Sequence, residues 1–332
     1  MSPLVAFGRV RAALVLALIV PLLAACGGST ASAPTSAPAA TSAPAATSAA
    51  APQAGTPQAG TKLRAVTTMS VLADMISRVG GDRVQAENII PIGAGPEDYQ
   101  PTPEDAQKIA RADVLFYNGF GLEEWLADLF QSAGKAGLPQ IEVARGLTPL
   151  GVGDEEFAEG NPHFWLSAEN GARYVANIRD GLIQVDPDGK DLYTSNAERY
   201  IAELTALHTE LKQQAETIPA TERKLVTNHD AFPYFAQAYG FTVVGNVLGN
   251  PEAEPSAGEV AQLVQTIKAE QVKAIFTEAQ FNPRLTQTIA DEAGITIISN
   301  LYTDSLGDGS SGVTSYADML RYNMRTIVEA LK

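Results

Sequence analysis

One stretch, residues 191–218, limits what this chain can fold into. Ala197, Tyr200, Ile201, Leu204, Leu207 and Leu211 recur at i, i+3, i+4 and i+7, while Glu203, Glu210, Lys212 and Gln213 fall on the other side. That spacing is one buried stripe on a solvated helix. Pro187 and Gly189 precede it and Pro219 stops it, so about 28 residues run unbroken, roughly 40 Å at 1.5 Å per residue. A rod of this length can join two lobes and does not bend easily. Of the three histidines in the chain, His163 precedes the rod and His229 follows it. His208 lies within it, four residues from Leu204, and reads as a helix-edge residue rather than a ligand.

Both flanks of the rod alternate β-rich and helical patterns. Ahead of it, strands are expected at 63–67, 84–90, 114–117 and 141–143, and helices at 71–79, 103–111 and 122–132. Behind it, strands are expected at 225–227, 242–246, 274–276 and 296–298, and helices at 233–239, 256–269, 283–293 and 316–331. Thr102-Pro103-Glu104-Asp105 is a helix start with a cap, a proline in the first turn and carboxylates at the positive end. Ser256 with Glu259 makes a capping box, and Asn282-Pro283 opens the next helix. The alternation defines an α/β fold: two parallel-sheet lobes, residues 62–184 and 220–332, joined by a linking helix within 185–219. A ligand site belongs where strand ends face each other across the cleft.

The first 61 residues carry no such pattern. Arg9 and Arg11 precede an apolar run, residues 12–25, broken only by Pro21. Its 14 residues fall short of the ~20 that span a bilayer. The run ends in Leu23-Ala24-Ala25-Cys26-Gly27, which resembles the lipobox of bacterial lipoproteins, where the cysteine is acylated and becomes the mature N-terminus. Cys26 is the only cysteine, so its use as a lipid anchor leaves none for disulfides, thiolate metal clusters or a cysteine nucleophile. Residues 27–61 hold no charge and consist largely of Ala, Ser, Thr and Pro, with Thr-Ser-Ala-Pro-Ala-Ala and Pro-Gln-Ala-Gly-Thr each occurring twice. They read as a tether that cannot form a core and that spans roughly 30 to 100 Å.

The chain carries 23 basic and 38 acidic residues, net −15, and loss of Arg9 and Arg11 with the leader takes the balance to −17. This charge opposes binding to nucleic acid or to anionic lipid through the protein surface, and it permits attraction of cations. His163 sits in Asn161-Pro162-His163-Phe164-Trp165-Leu166, just before a helix that Ser167 can cap. His229 sits in Thr227-Asn228-His229-Asp230, at the C-terminal end of an expected strand, where α/β proteins place ligands. Three prolines stiffen the loop Gly93-Ala94-Gly95-Pro96-Glu97-Asp98-Tyr99-Gln100-Pro101-Thr102-Pro103 around its two carboxylates. Asp304 and Asp308 follow the last strand, and Glu278 follows the strand ending at Phe276. Taken singly, carboxylates in such loops are most often turn or capping residues.

Together these segments resemble the zinc/manganese solute-binding lipoproteins of bacterial ABC importers. The likeness is carried by Pro91-x-Gly93-x-x-Pro96-Glu97-Asp98-Tyr99-x-Pro101-Thr102-Pro103, Ala112-Asp113 through Asn118-Gly119, Asn161-Pro162-His163-Phe164-Trp165-Leu166, His229-Asp230-Ala231-Phe232, Phe276-Thr277-Glu278 and Asp304-Ser305-Leu306-Gly307. It runs through nearly all of residues 64–332, in the family's order and spacing. It implies two α/β lobes joined by a long helix, with a metal held between them by Glu97, His163, His229 and Asp304. Asp230 and Glu278, and Asp98 if it is not itself a ligand, would be outer partners. Family members usually have His at the position of Glu97, Asp at that of Gly95 and Glu at that of Gln100. The departure leaves three alternatives: Glu97 binds, Asp98 substitutes for it, or the site has three strong ligands. Zinc-specific relatives often carry a His-rich acidic loop, whereas residues 151–160 here are acidic without histidine.

The expected function is capture of a divalent transition metal, Mn²⁺, Zn²⁺ or Fe²⁺, outside the cytoplasmic membrane by a lipid-tethered monomer that delivers it to an ABC permease. Two carboxylates and two imidazoles would neutralise the ion, a harder set than three histidines and one aspartate, which tilts preference toward Mn²⁺ or Fe²⁺ without excluding Zn²⁺. Binding is expected to weaken below about pH 6 as His163 and His229 protonate. The rival readings are a metallohydrolase, which lacks a His-Glu-x-x-His element here, and an adhesin or receptor for a small organic solute.

Overall fold

The computed structural model describes residues 62–97, 99–152, 158–248, 255–278 and 280–332. Cys26, the leader, the tether and Asp98 lie outside the described residues.

Period-two alternation places successive strand residues in different cores. In the first lobe, β1 (Leu63–Thr67), β2 (Val84–Asn88), β3 (Val114–Tyr117) and β4 (Gln140–Glu142) form one parallel sheet in the order β2-β1-β3-β4. Leu63, Ala65, Val114 and Phe116 point into a central core, and Val66 and Leu115 into a second core under α2 (Pro103–Arg111) and α3 (Leu126–Ala133). α1 (Ser70–Gly80) covers the central face with Val71, Leu72, Met75, Ile76 and Val79. Both faces are therefore dry, as a parallel sheet requires.

The second lobe repeats the arrangement with a difference. β5 (Lys224–Thr227) pairs with β6 (Thr242–Asn246), and β7 (Ala274–Glu278) with β8 (Thr296–Leu301), as two separate parallel pairs rather than one ladder. β5 and β7 lie side by side, and the Glu278 amide is held by Asn228 Oδ1 at 3.0 Å. The β7–β8 register slips between Phe276 and Glu278, and Asn300 takes a left-handed φ of 70°, a conformation asparagine tolerates. α6 (Pro233–Tyr239), α7 (Ala257–Ala269) and α8 (Arg284–Ala293) complete this lobe. Its outer core is Val226, Val264, Ile267, Ile275 and Ile289.

The linking helix, α5, runs Lys190–Ala215. Tyr193, Ala197, Tyr200, Leu204, Leu207, Leu211 and Ala215 all face the central core, and Ile201 is half-buried against it. α5 lies against α1, α4 (Ala168–Val185) and α9 (Tyr316–Leu331), so the rod is packed along its length by helices from both ends of the chain. Ser167 caps α4, as its position before the helix suggests. The expected capping box forms at Ser256/Glu259, and the cap read at Thr102 closes into a second box with Asp105. At α8 the start is one residue later than Asn282-Pro283 suggests, with Asn282 Oδ1 accepting the Arg284 N–H at 3.0 Å. His208 is half-buried at the edge of α5 with its ring 5.5 Å from that of Tyr239.

Leu204 is fully buried in this seam. Leu204→Ala is expected to lower stability by about 2–5 kcal/mol in a guanidinium melt, the range for a buried leucine whose cavity cannot collapse. An exposed control, Glu203→Ala, should change it far less; equal effects would mean that α5 is not packed as described.

Candidate metal centre

Four loops bring four side chains to one point between the lobes. Glu97 comes from the proline-stiffened loop after β2, His163 from the turn before α4, His229 from the end of β5 and Asp304 from the segment after β8. One donor atom from each lies within 4.8 Å of every other. His163 Nε2 is 3.0 Å from Glu97 Oε1, 3.2 Å from His229 Nε2 and 3.8 Å from Asp304 Oδ1. His229 Nε2 is 3.9 Å from Glu97 Oε1 and 3.6 Å from Asp304 Oδ2. Donors 2.0–2.1 Å from a tetrahedral ion stand ~3.3 Å from one another, so these spacings bracket the edge of such a shell.

The charge balance points the same way. Two ring nitrogens and a carboxylate oxygen this close cannot all present lone pairs to each other; a proton or a cation must lie among them. His163 and His229 are fully buried, Asp304 is 2% exposed, and the Glu97 side chain is 15% exposed and forms the mouth. Asp304 Oδ1 is buried and accepts no hydrogen bond. Such an oxygen is costly unless it faces a positive charge.

Burial would raise the Glu97 pKa, but the His163 hydrogen bond and the charges of His163 and His229 hold it below the usual carboxylate range. Burial pushes Asp304 up to about 7, reinforced by the Glu97 charge and opposed by the two histidines. For His229 burial acts downward, but Glu278 and Asp304 outweigh it and raise the imidazole to about 10. Without metal, the imidazolium form of His229 is favoured, with Nδ1 on Glu278 and Nε2 facing His163, Glu97 and Asp304. This moves the onset of acid sensitivity well above the pH 6 expected for ordinary histidines.

Polar groups stand behind both rings. His229 Nδ1 is 2.8 Å from Glu278 Oε2. Asp230 reaches His163 through Asn161: His163 Nδ1–H donates to Asn161 Oδ1 (3.1 Å), and Asn161 Nδ2 donates to Asp230 Oδ2 (3.1 Å) and to the Asp230 carbonyl (2.6 Å). The 118–119 segment also gains a role. Asn118 Nδ2 donates to the Pro162 carbonyl (3.0 Å), and Glu123 accepts N–H groups from Asn118 (2.8 Å) and Gly119 (3.1 Å). Burial pushes Glu123 up to about 7 against those two bonds.

Across the lobes, Trp165 Nε1–H donates to the Thr303 carbonyl (2.7 Å), and Ser305 Oγ accepts from the Gly93 amide (2.9 Å). Asp304 is thus tied to both loops of the opposite lobe. Asn161, Gln280 and Thr303 are contacts that reading the sequence misses. The one signal available was their place two residues before His163, two after Glu278 and one before Asp304.

Asn161→Ala removes a neutral partner without altering the charge. Outer-partner substitutions in metal sites typically cost 10–100-fold in affinity, and a loss of about that size is expected here in a chelator competition titration. An unchanged affinity would mean that the Asn161 contact does not orient His163.

A two-lobed α/β protein with a buried His₂-carboxylate₂ cluster between its lobes has the build of a metal solute-binding protein. Residues 65–330 match the family described as ZnuA, zinc-uptake complex component A, periplasmic, and the chain belongs to that family. It is 36% identical over 277 residues to the manganese-binding lipoprotein MntA of Halalkalibacterium halodurans, covering 83% of this chain and 91% of that protein. It is 34% identical over 276 residues to the iron ABC transporter substrate-binding lipoprotein MtsA of Streptococcus pyogenes serotype M1, covering 81% and 89%. Among solved structures, the periplasmic zinc binding protein TroA of Treponema pallidum superposes with a TM-score of 0.76 at 28% identity, covering 82% of this chain and 99% of that one.

Proposed function

We propose that this chain captures a divalent transition metal outside the cytoplasmic membrane and passes it to the permease of an ABC importer, with Glu97, His163, His229 and Asp304 as its ligands. The observation that carries the reading is the convergence of those four donors within 4.8 Å, three of them buried, with Asp304 Oδ1 bare of any hydrogen bond. Two carboxylates neutralise the ion, and Glu97 fills the position where the family usually has histidine. Four protein donors close a tetrahedral shell and leave no place for a reactive water, which suits capture and transfer rather than hydrolysis. Relatives named for manganese, iron and zinc and the mixed donor set support an ion of this class. Among the described residues no helix is long and apolar enough to cross a membrane. The lipobox at Cys26 supplies the anchor in this reading, and the tether lets a monomer reach the permease.

The test is elemental analysis of the protein purified without chelator, beside Glu97→Ala, His163→Ala, His229→Ala and Asp304→Ala. One equivalent of Mn, Fe or Zn in the parent and sub-stoichiometric metal in each variant is expected. Full loading of the His163 and His229 variants would sink the assignment.

A further inference from the structure

We infer that Gln280 fixes Asp304 as a one-oxygen ligand and thereby biases the site against ions that demand high coordination numbers. The inference rests on the metal-site reading above and concerns a residue outside the ligand set. Gln280 Nε2 lies 2.7 Å from Asp304 Oδ2, 2.8 Å from Thr303 Oγ1 and 3.3 Å from Glu278 Oε2. All three neighbours are oxygens and two belong to carboxylates, so the donor end of the amide must face them. The Thr303 hydroxyl lies 2.6 Å from Glu278 Oε2 and 3.2 Å from Asp304 Oδ2; with its one hydrogen on the nearer carboxylate, Thr303 Oγ1 accepts from Gln280.

The two oxygens of Asp304 are thereby made unlike. Both face the cluster, Oδ1 at 3.8 Å from His163 Nε2 and Oδ2 at 3.6 Å from His229 Nε2, but Oδ2 already accepts the Gln280 N–H while Oδ1 is buried with no hydrogen bond. An ion in the cluster takes Oδ1 without competition and Oδ2 only against the Gln280 N–H. To bind through Oδ2 as well, the ion would have to weaken the shortest of the Gln280 bonds, the one to a charged oxygen, at a net loss. Zn²⁺ is satisfied by four donors and loses nothing by this restraint. Mn²⁺ and other hard ions prefer more oxygens, and among the four ligands the second oxygen of Glu97 is the one they can recruit without disturbing Gln280. Gln280 also touches Glu278, the partner of His229, so one amide braces the two ligands of the second lobe against each other.

The test is Gln280→Leu, which keeps the bulk and removes the donor, titrated separately with Mn²⁺ and Zn²⁺ in chelator competition at fixed pH. The Mn²⁺-to-Zn²⁺ affinity ratio should rise about tenfold, the scale set by losing one hydrogen bond to a charged group. X-ray absorption of the Mn²⁺-loaded variant should show one additional oxygen neighbour. Thr303→Val, which removes the acceptor that steadies the amide, should move the ratio the same way by less, and the melting temperature of the apo variants reports any loss of fold. A ratio unchanged in both variants, with one equivalent of metal bound, overturns the inference. His163→Ala and Asp304→Ala titrated alongside separate the two levels: if those variants keep full affinity, the ligand assignment itself is wrong; if they lose it while Gln280→Leu leaves the ratio fixed, only the role of Gln280 falls.

Discussion

Lowering the pH from 8 to 5 is expected to weaken metal capture by about 10⁵-fold, because protons occupy the ligands that the ion needs. The apo cluster holds His229 at about 10 and Asp304 at about 7. A ligand must be deprotonated to bind, so each group costs a factor of about ten per pH unit below its apo pKa. His229 contributes over the whole interval and Asp304 only below pH 7. The sign is fixed: the apo form binds protons that the loaded form cannot, so acid favours release and alkali favours capture. At pH 7, binding should expel about one and a half protons, one from His229 and half of one from Asp304. Calorimetry in buffers of different ionisation enthalpy counts them directly. Binding without proton release, or an affinity flat between pH 8 and 6, would contradict the electrostatics of the cluster. A fall that began only below pH 6 would restore ordinary histidines in place of the Glu278-coupled His229.

Replacing His163 with alanine is expected to cost two to three orders of magnitude in affinity. Four donors sharing the ~10–16 kcal/mol of a structural zinc site contribute roughly 3–4 kcal/mol each, and every 1.4 kcal/mol is a factor of ten. His163 is the cleaner of the two histidines to remove. His229→Ala would also strand Glu278, a fully buried carboxylate 2.8 Å from the ring it serves, and so would mix lost ligation with lost stability. At position 163 the partner behind the ring is the neutral Asn161 side chain, which keeps its bonds to Asp230, and the carboxylate in front of it, Glu97, is partly exposed at the mouth of the site. Competition against a chelating dye, with apo melting measured in parallel, separates the two effects. A loss below tenfold with an intact fold would remove His163 from the ligand set.

The strands were legible because alternation is a local property. Leu63 and Ala65 on one face of β1 and Val66 on the other each have a separate core to enter, and the same holds for Ala274, Ile275 and Phe276 in β7. Helix starts were legible because a cap is satisfied within four residues, as at Thr102 and Ser256. The rod ends at Ala215, three residues short of the span read to Ile218. Pro219 disfavours the helical region for Ile218, and the chain closes instead with tighter bonds, Thr217 N to Gln214 O at 3.1 Å and Ile218 N to Ala215 O at 3.0 Å. The split of the second lobe into two strand pairs was not legible. Where β5 and β7 meet, the Asn228 side chain takes the Glu278 amide, a contact across 50 residues.

By itself, the sequence determined the α/β alternation and the packed linking helix, because periodicity and caps are short-range signals carried by residue type, and its motifs offered the four candidate ligands through their resemblance to a family. The tertiary structure alone decided that the His229 ring sits against the buried Glu278 carboxylate, that Asp230 holds Asn161 beside His163, and that Gln280 donates to one oxygen of Asp304. Those outcomes arise from low-dielectric contacts between segments 20 to 70 residues apart, whose strength depends on distance and burial, and neither quantity is written in the order of the residues.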